Sequence, residues 1–360
     1  MIQIRYVTTG LLLLLLELSG KLGMSQSDDR SARVDRLFAT YDKSDSPGCS
    51  LAIVKDGKIV YKHGYGVADL DHDIRITDES VFYVGSVSKQ FTAFAAALLI
   101  QQHKLSLEDN IRKYLPEIPD YGTPITVRNL IYHTSGVREY FTTTPQSEVR
   151  DNRHVLEITS RQRNLLFKPG DQYQYSNTGY TLLAIIIERV TGLSFGRYAE
   201  ENIFKPLGMR DSHFHDDLTR LVRNRAYAYI PRTGGGLSAA PPVPNRVGAG
   251  GLFTTVNDLF RWDQSLFDGR LGQPGLIDLL ERPGQLNDGS QLEAGFGVEL
   301  RKYRGLRVVE HGGSLVGYQA RYTRFPDEKF SVICLCNMAN IDAQRLVRQV
   351  ADIYLADRFK

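Results

Sequence analysis

The sequence predicts an α+β protein. One antiparallel sheet is built from strands at both chain ends and flanked by N- and C-terminal helices as an α/β sandwich, with an all-helical domain inserted between them. Three observations carry this reading. Strand-like runs joined by two-residue turns occur near residue 50 and again after residue 295, and turns that short connect antiparallel neighbours. From residue 86 to about 280, apolar residues recur at helical rather than alternating spacing. The composition, 42% hydrophobic and 24% charged over 360 residues, is that of an ordinary globular chain, long enough to bury a core without cross-links.

The elements follow in order. Arg5 precedes the apolar run Leu11 to Leu16, broken by Glu17. That run is well short of the roughly 20 residues a membrane span needs, so residues 1–28 are read as a secretory leader, although no A-x-A cleavage site follows. The leader places the protein in the periplasm or outside the cell, with a cytoplasmic protein as the alternative if the leader is not functional. Val34, Leu37 and Phe38 give a first helix over residues 31–41. Residues 50–55 and 58–66 pair around Asp56-Gly57, a type I′ hairpin. Phe91, Phe94, Ala95, Leu98 and Leu99 mark the buried face of the next helix, and Leu182 to Val190 form a longer one ended by Gly192. Residues 231–246 read as a loop that borders a site or is mobile. Strands return at 295–303, 306–310, 318–325 and 330–337, and Leu346, Val350 and Ile353-Tyr354 belong to a last helix packed on the sheet. The domain boundaries expected are 29–85 with 286–360 for the sheet and its helices, and 86–285 for the insertion.

Charge narrows the function. Lys+Arg 44 against Asp+Glu 41 gives a net charge of +3, too balanced for a protein that grips nucleic acid through its phosphates. Three cysteines make no disulfide framework. Cys334 and Cys336 share one face of a strand, and with Cys49 they are read as core residues.

Three motifs carry chemistry. Ser86-Val87-Ser88-Lys89 sets a hydroxyl and an amine three apart at a helix start, on one face. Such a pair can work as nucleophile and base, with the helix N-terminus favouring an oxyanion. Alone, the spacing reads equally as a helix cap with a solvated lysine, since roughly one such match is expected by chance. Tyr175-Ser176-Asn177 precedes the Leu182 helix. A phenol beside Lys89 would have its pKa lowered and shuttle the serine proton, and the Asn amide would hold a substrate carbonyl. The alternative is a helix cap with a packed tyrosine. His311-Gly312-Gly313-Ser314 lies at the end of a strand, where two glycines let a ligand lie against the backbone.

Taken with the residues around them, these motifs resemble the class C β-lactamase-like serine hydrolases, a family of penicillin-recognising enzymes, D,D-peptidases, D-amino-acid peptidases and esterases. The resemblance runs through residues 85–92, Leu105 to Asp109 before Tyr114-Leu115-Pro116, His133-Thr134-Ser135-Gly136 and Phe167-Lys168-Pro169-Gly170. It continues in Tyr175 to Asn177, Pro206 to Met209, Gly250-Gly251-Leu252 and Gly297, and covers residues 31–360. It implies a β-lactamase/transpeptidase-like fold, with the site between the sheet and the helical domain. By resemblance Ser86 is the acylated nucleophile, Lys89 its proton acceptor or electrostatic partner, and Tyr175 the base or shuttle. Asn177, His311, Gly312, Gly313 and Ser314 bind substrate, and the N–H groups of Ser86 and Ser314 form the oxyanion hole. The usual third motif is Lys-Thr-Gly. Here His311 replaces the lysine, neutral at pH 7 and protonated below about pH 6.5, and the threonine hydroxyl is absent. That departure favours ester or peptide substrates over penicillin-type carboxylates.

Other patterns are set aside. Gly192-Leu193-Ser194-Phe195-Gly196 fits a nucleophile elbow, but a helix rather than a strand precedes it. His213-x-His215 with Asp216 and Asp217 lacks a third framed ligand and reads as a solvated loop, so no metal is expected. No glycine loop for phosphate precedes a helix, and no cofactor is expected. The reading is a serine hydrolase for a small-molecule or peptide substrate, working through an acyl-enzyme, with an esterase or D-amino-acid peptidase favoured. The alternatives are a β-lactamase or D,D-carboxypeptidase, or a non-catalytic protein that binds cell-wall ligands or self-assembles.

Overall fold

The computed structural model describes residues 29–272 and 274–359. The leader expected over residues 1–28 lies outside the described residues. The chain runs through α1 (residues 29–38), β1 (Cys49–Lys55), β2 (Lys58–Tyr65), β3 (Val67–Asp69), β4 (Ile74–Arg75) and β5 (Phe82–Tyr83). The middle comprises α2 (Ser88–Gln101), α3 (Val127–Ile131), α4 (Asn152–Ser160), α5 (Asn177–Thr191), α6 (Phe195–Ala199), α7 (Lys205–Leu207), the short strands β6 (His213–Phe214), β7 (Tyr229–Pro231), β8 (Leu237–Ala239) and β9 (Leu252–Thr254), then α8 (Val256–Asp268) and α9 (Leu276–Leu280). It closes with β10 (Glu299–Tyr303), β11 (Leu306–Leu315), β12 (Tyr318–Phe325), β13 (Phe330–Cys336) and α10 (Ala343–Tyr354).

The main sheet has six strands in the order β10-β11-β12-β13-β1-β2, every pair antiparallel. Both chain ends therefore meet in its centre, β1 against β13, as the hairpin signals at each end required. The β1–β2 turn is made by Asp56 and Gly57 at φ 49° and 75°, the conformation a type I′ hairpin needs. Because side chains alternate along a strand, the two faces of β1 enter different cores. Leu51 and Ile53 join Val34, Phe38, Val332, Leu346 and Val350 beneath α1 and α10. Ala52 and Val54 join the larger core shared with α2, α5 and α8.

Three expectations are corrected. β11 does not stop at Glu310 but continues through Leu315, so the His311–Ser314 motif lies within the strand. His213 and His215 are buried rather than solvated. His213 lies in β6, its ring stacked on Phe253 of β9, and the two imidazoles are 3.3 Å apart. Pairing of β6 with β9 supplies the framing that the short local sequence hides. Third, Cys49 and Cys336 are not simply core side chains. They are register partners across β1 and β13 and form a disulfide spanning 287 positions. Local pattern records no such pairing, because it depends on how the first strand meets the last. Cys334 remains a buried free thiol, and burial pushes its pKa up to about 12, which keeps it protonated.

This assignment predicts a thiol count. Unfolded but unreduced protein should take up iodoacetamide at Cys334 alone, and reduced protein at all three cysteines. Intact-mass spectrometry reads the difference, and three adducts without reductant would refute the Cys49–Cys336 pairing.

Candidate active site

Ser86 sits in a single turn, Gly85–Val87, between β5 and α2. The Ser88 hydroxyl fastens that turn, donating to the Gly85 carbonyl at 2.6 Å and accepting the Leu252 N–H at 3.1 Å. The following helix is buried on every side from Ser88 to Leu99, the pattern of a helix at the centre of a core. Its second residue is Lys89, with no accessible surface. The amine reaches three oxygens: Ser86 Oγ at 3.0 Å, Asn177 Oδ1 at 2.9 Å and the Ala249 carbonyl at 2.7 Å. Burial brings the Lys89 pKa down to about 7, while the charge of Glu139 opposes the fall. Near neutral pH much of the protein therefore carries an uncharged amine. Its two protons serve Asn177 and Ala249, which can only accept, and its lone pair is left for the Ser86 hydroxyl.

Tyr175 comes from the loop ahead of α5, and Asn177 is the first residue of that helix. Ser176 caps that helix, its hydroxyl accepting the Gly179 N–H at 3.0 Å, so the capping reading of this motif holds while Tyr175 and Asn177 still reach the cleft. The His133–Gly136 loop braces it: Gln174 N–H donates to the His133 carbonyl, Gly170 N–H to Thr134, and Ser176 N–H to His133 Nδ1. The His133 ring lies between those of Tyr175 and Tyr180, with centroids 4.6 and 5.0 Å away. Tyr175 hydrogen-bonds to Ser86, but its pKa is raised by burial, not lowered. Desolvation outweighs the expected ammonium effect. Lys89 Nζ sits over the face of the Tyr175 ring, 4.7 Å from its centroid.

β11 supplies the opposite wall. Pairing with β10 ends at Glu299↔Glu310. In an antiparallel ladder alternate residues point their N–H and C=O to alternate sides, and the even-numbered residues of β11 face β10. Gly312 and Ser314 therefore turn theirs outward beyond the end of β10, toward the Ser86 turn. The approach is close enough to require glycine. A Cβ at Gly313 would lie 1.9 Å from the Val84 carbonyl oxygen and 2.9 Å from Ser86 N. The Ser86 turn and β11 are thus in close backbone contact, a Cβ on Gly85 likewise lying 2.9 Å from Ser314 N. His311 Nδ1 is 2.6 Å from the Gly312 carbonyl, an acceptor, so the proton is on Nδ1 and Nε2 keeps its lone pair. Burial, with Lys89 nearby, lowers its pKa to about 3. Its protonation is thereby moved well below the expected pH 6.5.

A cleft of about 600 Å³ is lined by Ser86, Tyr175, Asn177, His311, Gly312, Gly313 and Ser314, with Lys89 beneath its floor. All eight residues singled out from the sequence meet there. The 231–246 segment borders it through Pro244, although β7 and β8 make part of that segment a hairpin. Ser194 caps α6, its hydroxyl accepting the Arg197 N–H. Sequence reasoning missed the Ala249 carbonyl, Glu139 and the aromatic wall of Tyr140 and Phe141. A backbone acceptor carries no residue-type signal, and Glu139 has no spacing to a partner.

An antiparallel sheet with a helical insertion, and a Ser–Lys–Tyr cluster at the start of a buried helix, define a serine hydrolase of the penicillin-recognising type. A family model described as Beta-lactamase matches residues 34–355, and the chain belongs to that family. It is 28% identical over 330 residues to penicillin-binding protein 4* of Bacillus subtilis, covering 86% of this chain and 72% of that protein. It is 30% identical over 305 residues to the D-aminopeptidase of Brucella anthropi, covering 81% of this chain but 56% of that protein. The chain thus spans just over half the length of that relative. Among solved structures, an octameric penicillin-binding protein homologue from Pyrococcus abyssi superposes with a TM-score of 0.81 at 26% identity, over 91% of this chain and 77% of that one. D-amino acid amidase from Ochrobactrum anthropi SV3 gives 0.77 at 22% identity, over 92% and 99%, a likeness of fold.

The charge state of Lys89 predicts a pH profile. With an uncharged amine required to take the Ser86 proton, kcat/KM should fall about tenfold per unit below a break near pH 7. His311, neutral above about pH 3, should add no second break. A profile flat from pH 5 to 8 would exclude Lys89 as the base.

Proposed function

We propose that Ser86 attacks the carbonyl of an ester or amide, forming an acyl-enzyme that water then hydrolyses. The supporting observation is the buried Lys89 amine 3.0 Å from Ser86 Oγ, its other two hydrogen bonds already taken. In acylation Lys89 accepts the Ser86 proton while Oγ bonds to the carbonyl carbon. The N–H groups of Ser86 and Ser314 stabilise the oxyanion, a contribution of roughly 10²–10³-fold per donor in comparable sites. As the carbonyl re-forms, the bond to the leaving group breaks. Tyr175, kept a neutral phenol, passes a proton to the departing nitrogen or oxygen and is reprotonated from Lys89. The resulting ester on Ser86 is cleaved by water through the reverse proton path.

For substrate class, the reading favours an esterase or a peptidase acting on D-amino-acid derivatives, with a β-lactamase or D,D-carboxypeptidase second. A neutral His311 and a side-chain-free Gly312 offer no permanent charge at the third motif itself, so a substrate carboxylate would have to reach Arg246 or Arg321 farther along the cleft. Export is proposed alongside. The Leu11–Leu16 run behind Arg5 has the form of a secretory signal, and the Cys49–Cys336 disulfide suits an oxidising compartment. Among the described residues no helix is long and apolar enough to cross a membrane.

Two experiments test this reading. A fluorophosphonate probe should add to the peptide containing Ser86, and Ser86→Ala should abolish the adduct while Ser194→Ala leaves it intact. An adduct on Ser194 would overturn the site. Second, short aryl esters and D-alanyl amides should turn over faster than a chromogenic cephalosporin. The cephalosporin-to-ester ratio should stay level between pH 5 and 8, because His311 does not titrate there. His311→Lys should raise the ratio about 10–100-fold, the worth of a charge-assisted bond. Wild type that already prefers the cephalosporin, with a ratio indifferent to His311→Lys, would replace the esterase reading with a β-lactamase.

A further inference from the structure

One carboxylate at the site has no part in these steps. Glu139 follows the His133–Gly136 loop and closes on the first turn of α5. Its Oε1 accepts the Thr178 N–H at 3.4 Å and its Oε2 the Thr178 hydroxyl at 3.5 Å, and the Asn177 N–H and Ser176 hydroxyl also donate to it. The Thr178 hydroxyl oxygen in turn accepts the Tyr140 N–H at 3.0 Å, so both ends of the short segment carrying Glu139 are tied to α5. The residues it grips matter to the base: Asn177 Oδ1 accepts from Lys89, and Ser176 follows Tyr175.

The groups facing Lys89 come from several elements. They are Ser86 from its own turn, Tyr175 and Tyr180 under the amine, His133 from the loop after α3, His311 from β11, and Glu139. Burial keeps both histidines uncharged and both tyrosines protonated. The N-terminal ends of α2 and α5, with their positive potential, also point into this space. Glu139 is the carboxylate that acts on the amine, and it sits where the α5 N-terminus would otherwise present only positive potential.

We propose that Glu139 is a positioning residue that sets the pH at which Lys89 becomes a base, by fixing the first turn of α5 and placing a negative charge opposite the ammonium. The proposal rests on the Ser86–Lys89 reading above. A carboxylate here favours the charged lysine, so its removal should free the amine at lower pH. In Glu139→Gln, the acid limb of Ser86 labelling by a fluorophosphonate should move down by about half a unit or more. At pH 5.5 that variant should then keep a roughly threefold larger share of its own plateau rate than wild type does, one pH unit being a tenfold change. The same shift should appear in kcat/KM. Glu139→Asp, which retains the charge, should keep the wild-type limb. Thr178→Val, which removes a contact but not the charge, should lower the plateau and leave the limb in place.

An unmoved limb in Glu139→Gln, with Ser86 still labelled, would overturn this proposal alone. So would a KM increase confined to amine-bearing substrates without a shifted limb, which would make the carboxylate a substrate contact. A limb that moves equally in Thr178→Val would reduce Glu139 to a structural tie. Wild type that takes no label at Ser86 would overturn both readings together.

Discussion

An amine removed from water must find an acceptor for each proton it carries or give one up, and at Lys89 the fold enforces both conditions. Its three oxygens lie on the Ser86 turn, on α5 and on the segment before β9, 3, 88 and 160 positions away. No local stretch of chain could assemble them. They meet because α2 runs through the middle of the larger core, with Trp262 of α8 donating to Gln90 one residue beyond the lysine. The chain also passes tightly at Gly297, where a Cβ would lie 2.5 Å from the Lys89 carbonyl carbon. Burial and bonding are thus settled together: the packing that shuts out water supplies the acceptors and lowers the amine's proton affinity.

The neighbours of Lys89 are chosen to leave that amine as the group that titrates near neutral pH. His133 and His311 would compete for protons if solvated. Both are buried, and each commits Nδ1 to a backbone partner, His133 as acceptor and His311 as donor. Tyr175 offers a hydroxyl to Ser86, and desolvation keeps it protonated. A neutral phenol is a poorer base than a phenolate but a better relay, since it can give a proton on one side while receiving one on the other.

What was legible in the sequence divides along the range of the interaction. Helical periodicity in Phe91–Leu99, the Asp56-Gly57 turn and the αL glycine at Gly192 are local, and each sits where its pattern put it. The sheet could be inferred because its hairpins are local, and closure of its centre followed from strands at both chain ends. The site was legible for a different reason: its side chains lie in short motifs whose residue types announce chemistry. Where a feature depends on which strand lies beside which, the sequence is silent. Cys49 meets Cys336 only once β1 is in register with β13, and His213 becomes buried only when β6 joins β9. Tyr175 misled because desolvation, which raises a phenol's pKa, depends on packing that a local motif does not record.

The departure at the third motif has its own physical logic. Residue 312 lacks a side chain because another residue's atoms fill the space: a Cβ there would lie 2.7 Å from Arg321 Nη1. Arg321 is held by Glu310 at 2.6 Å, and Glu310 also pairs with Arg348 of α10 at 2.5 Å. Glu310 and Arg348 lie toward α10, Arg321 also reaches the rim of the cleft, and the neutral His311 faces Ser86. An unpaired strand edge is normally a liability, open to any extended chain. On β11 it is confined to the few residues past the end of β10, braced from behind by a buried ion network and faced by the Ser86 turn. The stretch of β11 left open past Glu310 is thus the part of the sheet that faces the Ser86 turn.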